Sequence, residues 1–195
     1  MGRELTIPIS VDTYRAEVAR SALQAGASII NDVSALRLDP DMVKVAAGAG
    51  VPLILMHMKG TPIDMQDNTT YHHLIHEILD FLKSAIDRAV RGGIKEDLIV
   101  VDPGIGFGKT ADHNLEIING LARFRSLQKP ILLGPSRKSF IGHILKKEAP
   151  ERDTGTMAAV SAGVMNGAHM VRVHNVKKAL DTVKIIDAIS RGNSK

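Results

Sequence analysis

Three short segments combine residue types that do chemistry. The first is Asp102-Pro103-Gly104-Ile105-Gly106-Phe107-Gly108-Lys109, directly after the apolar run Leu98-Ile99-Val100-Val101. Alternating glycines let a backbone turn sharply and approach a ligand closely. The spacing fits neither the G-x-G-x-x-G dinucleotide fingerprint nor a Walker loop. A strand-to-helix loop with Asp102 as a helix cap explains the same residues. The second is Gly134-Pro135-Ser136-Arg137-Lys138-Ser139-Phe140-Ile141-Gly142, where two adjacent cations and an arriving helix N-terminus suit an anion. A solvated charge pair at a helix start is the plainer reading. The third is Val171-Arg172-Val173-His174. Strand alternation puts Arg172 and His174 on one face, and an Arg fork beside a His suits phosphate-type oxygens. Equally, His174 caps the next helix and Arg172 pairs with an interior carboxylate.

Asp12 and Asn31 are weaker signals. Ser10-Val11-Asp12-Thr13 reads as a strand followed by a capped helix, and Asn31-Asp32 as turn chemistry. Seven further histidines (His57, His72, His73, His76, His113, His143, His169) invite a zinc reading, with His72 and His76 at i, i+4. No H-E-x-x-H occurs, and that stretch looks like a helix start near a surface loop, so no metal site is expected from them.

Positioning these groups falls to alternating elements. Apolar runs lie at Thr6-Ile7-Pro8-Ile9-Ser10-Val11, Ser28-Ile29-Ile30, residues 51–56, 98–101, 130–133 and 169–173. Helical patterns lie between them, at about 13–25, 40–49 and 71–91, and one closes the chain at about 177–189. Runs of Val, Ile and Leu without polar alternation suit strands covered on both faces. Strand–helix alternation with short connections predicts a parallel sheet with right-handed crossovers. Asp12, Asn31, Asp102, Arg172 and His174 all fall at the C-terminal ends of different runs. Those ends converge on one mouth in a closed (β/α) barrel, whereas an open sheet uses one crevice. The barrel is favoured, although it needs eight strands and six are found. No linker divides the chain, so residues 1–195 read as a single α/β domain.

The 195 residues suffice for a substantial core. Charge is +4, from 25 Lys and Arg against 21 Asp and Glu, and aromatic residues are only 3%. That argues against nucleic-acid binding, which wants a basic stripe with stacking rings. No apolar run is long enough for a membrane span, and MGRELTIPIS has no signal-peptide core. Cysteine is absent, which excludes disulfides and thiolate metal sites and fits a reducing cytoplasm.

Taken together, the segments ISVDTYRAEVARSALQAGASIINDVS, LILMHMKGTP, VDPGIGFGK, LLGPSRKSFIG, RDTGTMAAV and VRVHNV resemble the dihydropteroate synthase family in order and nearly end to end. The resemblance implies a TIM barrel, here about six of eight β/α units. It implies condensation of 6-hydroxymethyl-7,8-dihydropterin pyrophosphate with p-aminobenzoate, giving 7,8-dihydropteroate and pyrophosphate. Asp12, Asn31, Asp102 and Lys138 match pterin-holding positions. Met56, Phe107 and Gly134 match the pocket lining or its p-aminobenzoate side, Ser136 and Lys138 lie where the family also contacts p-aminobenzoate, and Arg137 is expected among the substrate-binding residues. Arg172 and His174 match the pyrophosphate site. Asp102, Lys138, Arg172 and His174 are therefore the expected catalytic group. Magnesium and a homodimer through late helices are also implied. The chain begins at what matches the third strand of complete members, so the Asn that helps hold magnesium and the mobile Thr/Arg loop are expected to be missing, the turnover weak, and Met1-Gly2 an addition. A pterin-dependent methyltransferase and a catalytically silent pterin-binding module are the competing expectations.

Overall fold

A computed structural model describes residues 5–192, so the reading of Met1-Gly2 lies outside the described residues. Each apolar run supplies a strand. In chain order the elements are β1 (Ser10–Asp12), α1 (Ala16–Gln24), β2 (Ile29–Asp32), α2 (Met42–Ala49), β3 (Leu53–Met56), α3 (Leu74–Arg91), β4 (Ile99–Asp102), α4 (Ala111–Asn119), β5 (Leu132–Leu133), α5 (Ser139–Leu145), α6 (Asp153–Met165), β6 (Met170–Val171) and α7 (Val176–Gly192). All strand pairs are parallel and follow sequence order. A single Val101–Ile131 bridge joins β1–β4 to β5–β6. The result is a six-stranded arc of a (β/α) barrel with the helices outside.

Element starts differ from the sequence expectation for local reasons. β1 begins at Ser10 rather than Thr6; Pro8 carries no N–H for a ladder and Ile7 is 68% exposed. α1 begins at Ala16 rather than Thr13, because the Asp39 carboxylate accepts from Ala16 N–H at 2.7 Å and Thr13 Oγ1 accepts from Arg15 N–H. α3 begins at Leu74, where Glu77 Oε1 reaches back to accept from the His72 and His73 amides. Between β5 and β6 the helical pattern resolves into two helices, α5 and α6.

Alternation along each strand separates two layers of core. Ile30, Leu53, Leu55 and Ile99 face outward onto α1, α2 and α3 with Ala19, Met42, Ala46 and Ala85. Leu133 and Val101 face outward onto α3, α4 and α5, packing with Leu82, Ile117, Phe124 and Phe140. Each such fully buried side chain is worth roughly 1.5–3 kcal/mol against exposure. The inward layer is small: Ile54, Val100 and Leu132, with Ile29 at its side. Two residues further along each of these strands, the same inward face carries Asn31, Met56, Asp102 and Gly134. Asp12 and Arg172 occupy the equivalent ends of the outermost strands. Their side chains approach to 3.8 Å, so the arc curves until its first and last strand ends meet across the mouth.

Candidate active site

The strand ends and the loops after them enclose a cavity of about 340 Å3. β1 contributes Asp12, and β4 with its glycine loop contributes Asp102, Ile105 and Phe107. The β5–α5 loop contributes Gly134, Ser136 and Lys138, and the end of β6 contributes Arg172, Val173 and His174. Eight sequence-nominated residues therefore line one space. Two concavities of similar or greater size, about 380 and 600 Å3, lie on the outer helical surface. The first is nearly all apolar and the second is a groove beside α3; neither gathers strand-end polar groups.

Asp102 is 2% exposed, and its Oδ1 accepts from Gly104 N–H at 2.7 Å. It does not cap α4. Thr110 does, accepting from His113 N–H while His113 Nδ1 accepts from Thr110 N–H. Burial pushes the Asp102 carboxyl above its ordinary value, opposed by the Gly104 amide and by the charges of Arg172, Lys109 and Lys138. Lys138 Nζ lies 4.1 Å from the centre of the Phe107 ring. Burial lowers the Lys138 pKa, with Asp102 and Asp12 acting in the opposite sense and Arg172 adding to the fall. Acidic and basic groups thus share one small, partly dry space, where each depends on the other for its charge.

Arg172 is half-buried, with one Nη2 atom lacking any protein partner and Nη1 3.8 Å from Asp12. His174 Nδ1 is 2.8 Å from Ser136 Oγ, and the same hydroxyl accepts from His174 N–H. His174 does not cap α7, because Asn175 Oδ1 accepts from Lys178 N–H instead. Asn31 is fully buried with both its carboxamide oxygen and nitrogen unpartnered. A buried donor and acceptor without partners are costly unless a ligand supplies them. Met56 is buried beside Asp102 in the β3–β4 register, forming floor rather than cavity wall. Asp32, next to Asn31, turns the chain: its carboxylate accepts from the amides of Ser34 and Leu36.

Arg137 corrects the sequence reading. Its φ of 56° turns it away from Lys138, and it does not line the cavity. Its Nε donates to Asp153 Oδ1 at 2.9 Å, and the other Asp153 oxygen accepts from Asn175 Nδ2 at 2.8 Å. Arg137 therefore brackets the β5–α5 loop to the turn after His174, with its side chain outside the cavity lining. Its neighbours Asn175 and Arg137, in that order, hold the Asp153 carboxyl down to about 2. A carboxyl depressed in the folded state contributes stability above its unfolded value, lost as pH falls toward the folded one. The stability gap between the parent chain and Asp153→Asn is expected to be full at ~pH 5 and to close near ~pH 2. Urea melts at both pH values check this; a gap independent of pH would contradict it.

Lys109 and His57 escaped the sequence reading as a pair. Lys109 is 4% exposed, and its Nζ sits 2.8 Å from His57 Nδ1 and donates to Phe107 O at 3.0 Å. Burial, with Lys138 adding and Asp102 opposing, brings the Lys109 amine down to about 7. Among the described residues no group of three or more His, Cys, Asp or Glu is arranged to hold a metal ion. No helix of the described residues is long and apolar enough to cross a membrane.

Residues 1–174 match the family model described as pterin binding enzyme. Dihydropteroate synthase of a Synechocystis strain is 46% identical over 97% of this chain and 66% of its own length. That of Clostridium beijerinckii is 46% identical over 96% of the chain and 68% of its own length. The chain thus spans about two thirds of the length of these curated relatives. Among solved structures, Yersinia pestis dihydropteroate synthase with a sulfonamide drug superposes with a TM-score of 0.95 at 35% identity, over 98% of this chain and 69% of that one. The Xanthomonas albilineans enzyme in complex with 7,8-dihydropteroate gives 0.89 at 36% identity, over 96% and 69%.

Proposed function

Since the chain belongs to the pterin binding enzyme family, we propose that its cavity carries the dihydropteroate synthase reaction. The observation that carries this is one 340 Å3 space holding a buried carboxylate, two cations and a histidine, beside a fully buried Asn31 whose carboxamide has no partner. A flat heterocycle edged with both donors and acceptors answers such a set. Asp102 accepts from ring N–H groups, Asn31 pairs in both senses, and Phe107 covers a ring face, with Met56 in the floor beneath. Arg172 and His174 take the pyrophosphate oxygens, with Lys138 between the two regions.

Turnover then follows from charge. The C–O bond between the pterin methylene and pyrophosphate breaks, and pyrophosphate leaves with the electron pair onto the Arg172 and His174 side. The methylene cation is stabilised by the pterin ring and by Asp102. The p-aminobenzoate nitrogen attacks, a C–N bond forms, and the amine proton is released to solvent or to pyrophosphate. Positioning and electrostatics do the catalysis, and no covalent enzyme intermediate is needed. The Yersinia and Xanthomonas structures support this reading through the ligands named with them, a sulfonamide drug and 7,8-dihydropteroate.

Among the described residues no group of three or more acidic or histidine side chains is arranged to hold the magnesium ion that the resemblance implies. Of the cavity carboxylates, Asp102 is buried and bonded to Gly104, while Asp12 stands near Arg172. We also place the protein in the cytoplasm as a homodimer. Supporting this, cysteine is absent, and Val176, Leu180, Ile185 and Ile189 of α7 are 52–67% exposed. Sedimentation equilibrium at a single-chain mass would rule the dimer out.

The reaction is tested by pyrophosphate release. It is expected only when the pterin pyrophosphate and p-aminobenzoate are both present, with dihydropteroate formed in equal amount. A folded, pterin-binding chain that releases none would be the silent binding module instead. The methyltransferase reading finds no support in a cavity that holds Lys138, Arg172 and His174 together.

A further inference from the structure

Behind the wall of the cavity lies a buried polar pair that the proposed reaction does not use. His57 follows β3 and Lys109 ends the glycine loop, 52 positions later, yet Nζ and Nδ1 are 2.8 Å apart. Both residues are 4% exposed. Phe107 O takes a second Lys109 N–H at 3.0 Å. The His57 main chain is fixed as well, its N–H donating to Asp102 O at 2.9 Å. Gly104 is wedged between these groups: a Cβ there would lie 1.8 Å from His57 O and 3.4 Å from Lys109 Nζ. The loop that carries Phe107 and begins at Asp102 is therefore tied at its far end to the strand beside Asp102.

We propose that Lys109 is a positioning residue of this site: anchored to His57, its buried ammonium pins the glycine loop against the β3 end and supplies the positive charge behind Asp102. The role rests on the reading of Asp102 as the pterin's partner. A carboxylate 2% exposed needs nearby positive charge to stay ionised, and a pterin N–H edge is recognised only by the ionised form. Of the cations acting on Asp102, Arg172 and Lys138 line the cavity and are committed to ligand. Of these three, Lys109 alone stands outside the cavity lining, so no ligand competes with Asp102 for its ammonium.

The charged surroundings fix where the proton resides. Lys109 faces Asp102, which favours its ammonium, and Lys138, which opposes it. His57 faces Lys109, Arg37 and Lys59, all cationic, and burial acts in the same direction to hold its imidazole neutral. Phe81 and Tyr71 cover the ring, at 4.7 and 6.2 Å between centroids. While protonated, Lys109 has only hydrogens to offer, so it donates to His57 Nδ1 and the ring hydrogen sits on Nε2.

Carboxyl and amine titrations in the ligand-free, isotope-labelled chain test this by NMR. In Lys109→Met, the Asp102 carboxyl carbon is expected to titrate at least about one pH unit higher than in the parent chain, as loss of an adjacent opposite charge requires. An unmoved Asp102 midpoint in folded Lys109→Met would overturn the proposal, leaving Lys109 a packing residue only. If that variant does not fold, the parent chain decides. Lys109 Cε and His57 Nδ1 are expected to shift together with a common midpoint near 7. A His57 Nδ1 that does not respond when Lys109 Cε titrates would overturn it equally, because the anchoring contact would then be absent. No ligand enters these measurements, so a chain that binds no pterin would sink the functional reading without touching this result.

Discussion

Arg172→Ala is expected to lower affinity for the pterin pyrophosphate by roughly 100-fold, or about 2.7 kcal/mol, while leaving affinity for 6-hydroxymethylpterin within about 3-fold. The reason is the state of the guanidinium. Its nearest carboxylate, Asp12, is 3.8 Å away and well exposed, and its Nη2 is buried without a partner. A half-buried, under-bonded cation beside a cavity is ready for a polyanion and makes little net contribution to folding. Losing an anion-binding donor of this kind typically costs two to three orders of magnitude when charge develops on the leaving group. The midpoint of thermal unfolding should therefore stay within about 2 °C, since less than about 1 kcal/mol of folding stability is involved. Arg172→Lys should recover only part of the affinity, because an ammonium lacks the two-pronged geometry. Titration with both ligands checks this. An equal loss for the two would make Arg172 a scaffold residue and move the pyrophosphate site elsewhere.

Gly104→Ala should be the most damaging single methyl group in the chain's glycine loop. Its φ of 74° already disfavours a side chain, at about 1–2 kcal/mol. More decisively, the new Cβ would lie 1.8 Å from His57 O, a backbone atom that cannot swing aside. The loop must move or the β3 end must yield, adding roughly 1–3 kcal/mol of strain. A fall in melting temperature of about 5–15 °C is expected, together with loss of pterin binding, because the displaced segment carries Asp102, Ile105 and Phe107. Gly48→Ala is the matched control. It lies in α2 with nothing within 4 Å of the added methyl, so it should be neutral or stabilising by up to about 1 kcal/mol. Equal melting temperatures for the parent chain and Gly104→Ala would contradict the packing of the loop against His57.

Much of this site was legible in the sequence because it is built on local periodicity. Asp102 ends β4, where a two-residue alternation suffices to turn it inward, whereas β6 ends at Val171, so Arg172 and His174 reach the cavity from the segment just beyond the strand. The strand-end logic also brings Asp12 to the same mouth, although it ends the first strand and Arg172 follows the last. Pairing Arg137 with Lys138 in one anion site rested on their adjacency alone. A left-handed backbone at Arg137 separates the two, and its partner Asp153 belongs to a helix 16 positions on. Lys109 and His57 were missed for the opposite reason, since nothing in either segment announces a contact 52 positions away. Helix starts at Ala16 and Leu74 were displaced by side-chain acceptors, Asp39 and Glu77, that periodicity does not weigh.

Calorimetric titration of the chain with the pterin pyrophosphate, beside Asp102→Asn, bears most directly on whether this cavity is a pterin site. Saturable binding by the parent chain is expected, and its loss in a variant that keeps the fold. Asparagine keeps the shape but presents one acceptor and a competing N–H donor where two anionic oxygens stood. Binding that survives Asp102→Asn unchanged, or no binding by a folded parent chain, would contradict a pterin pocket centred on Asp102.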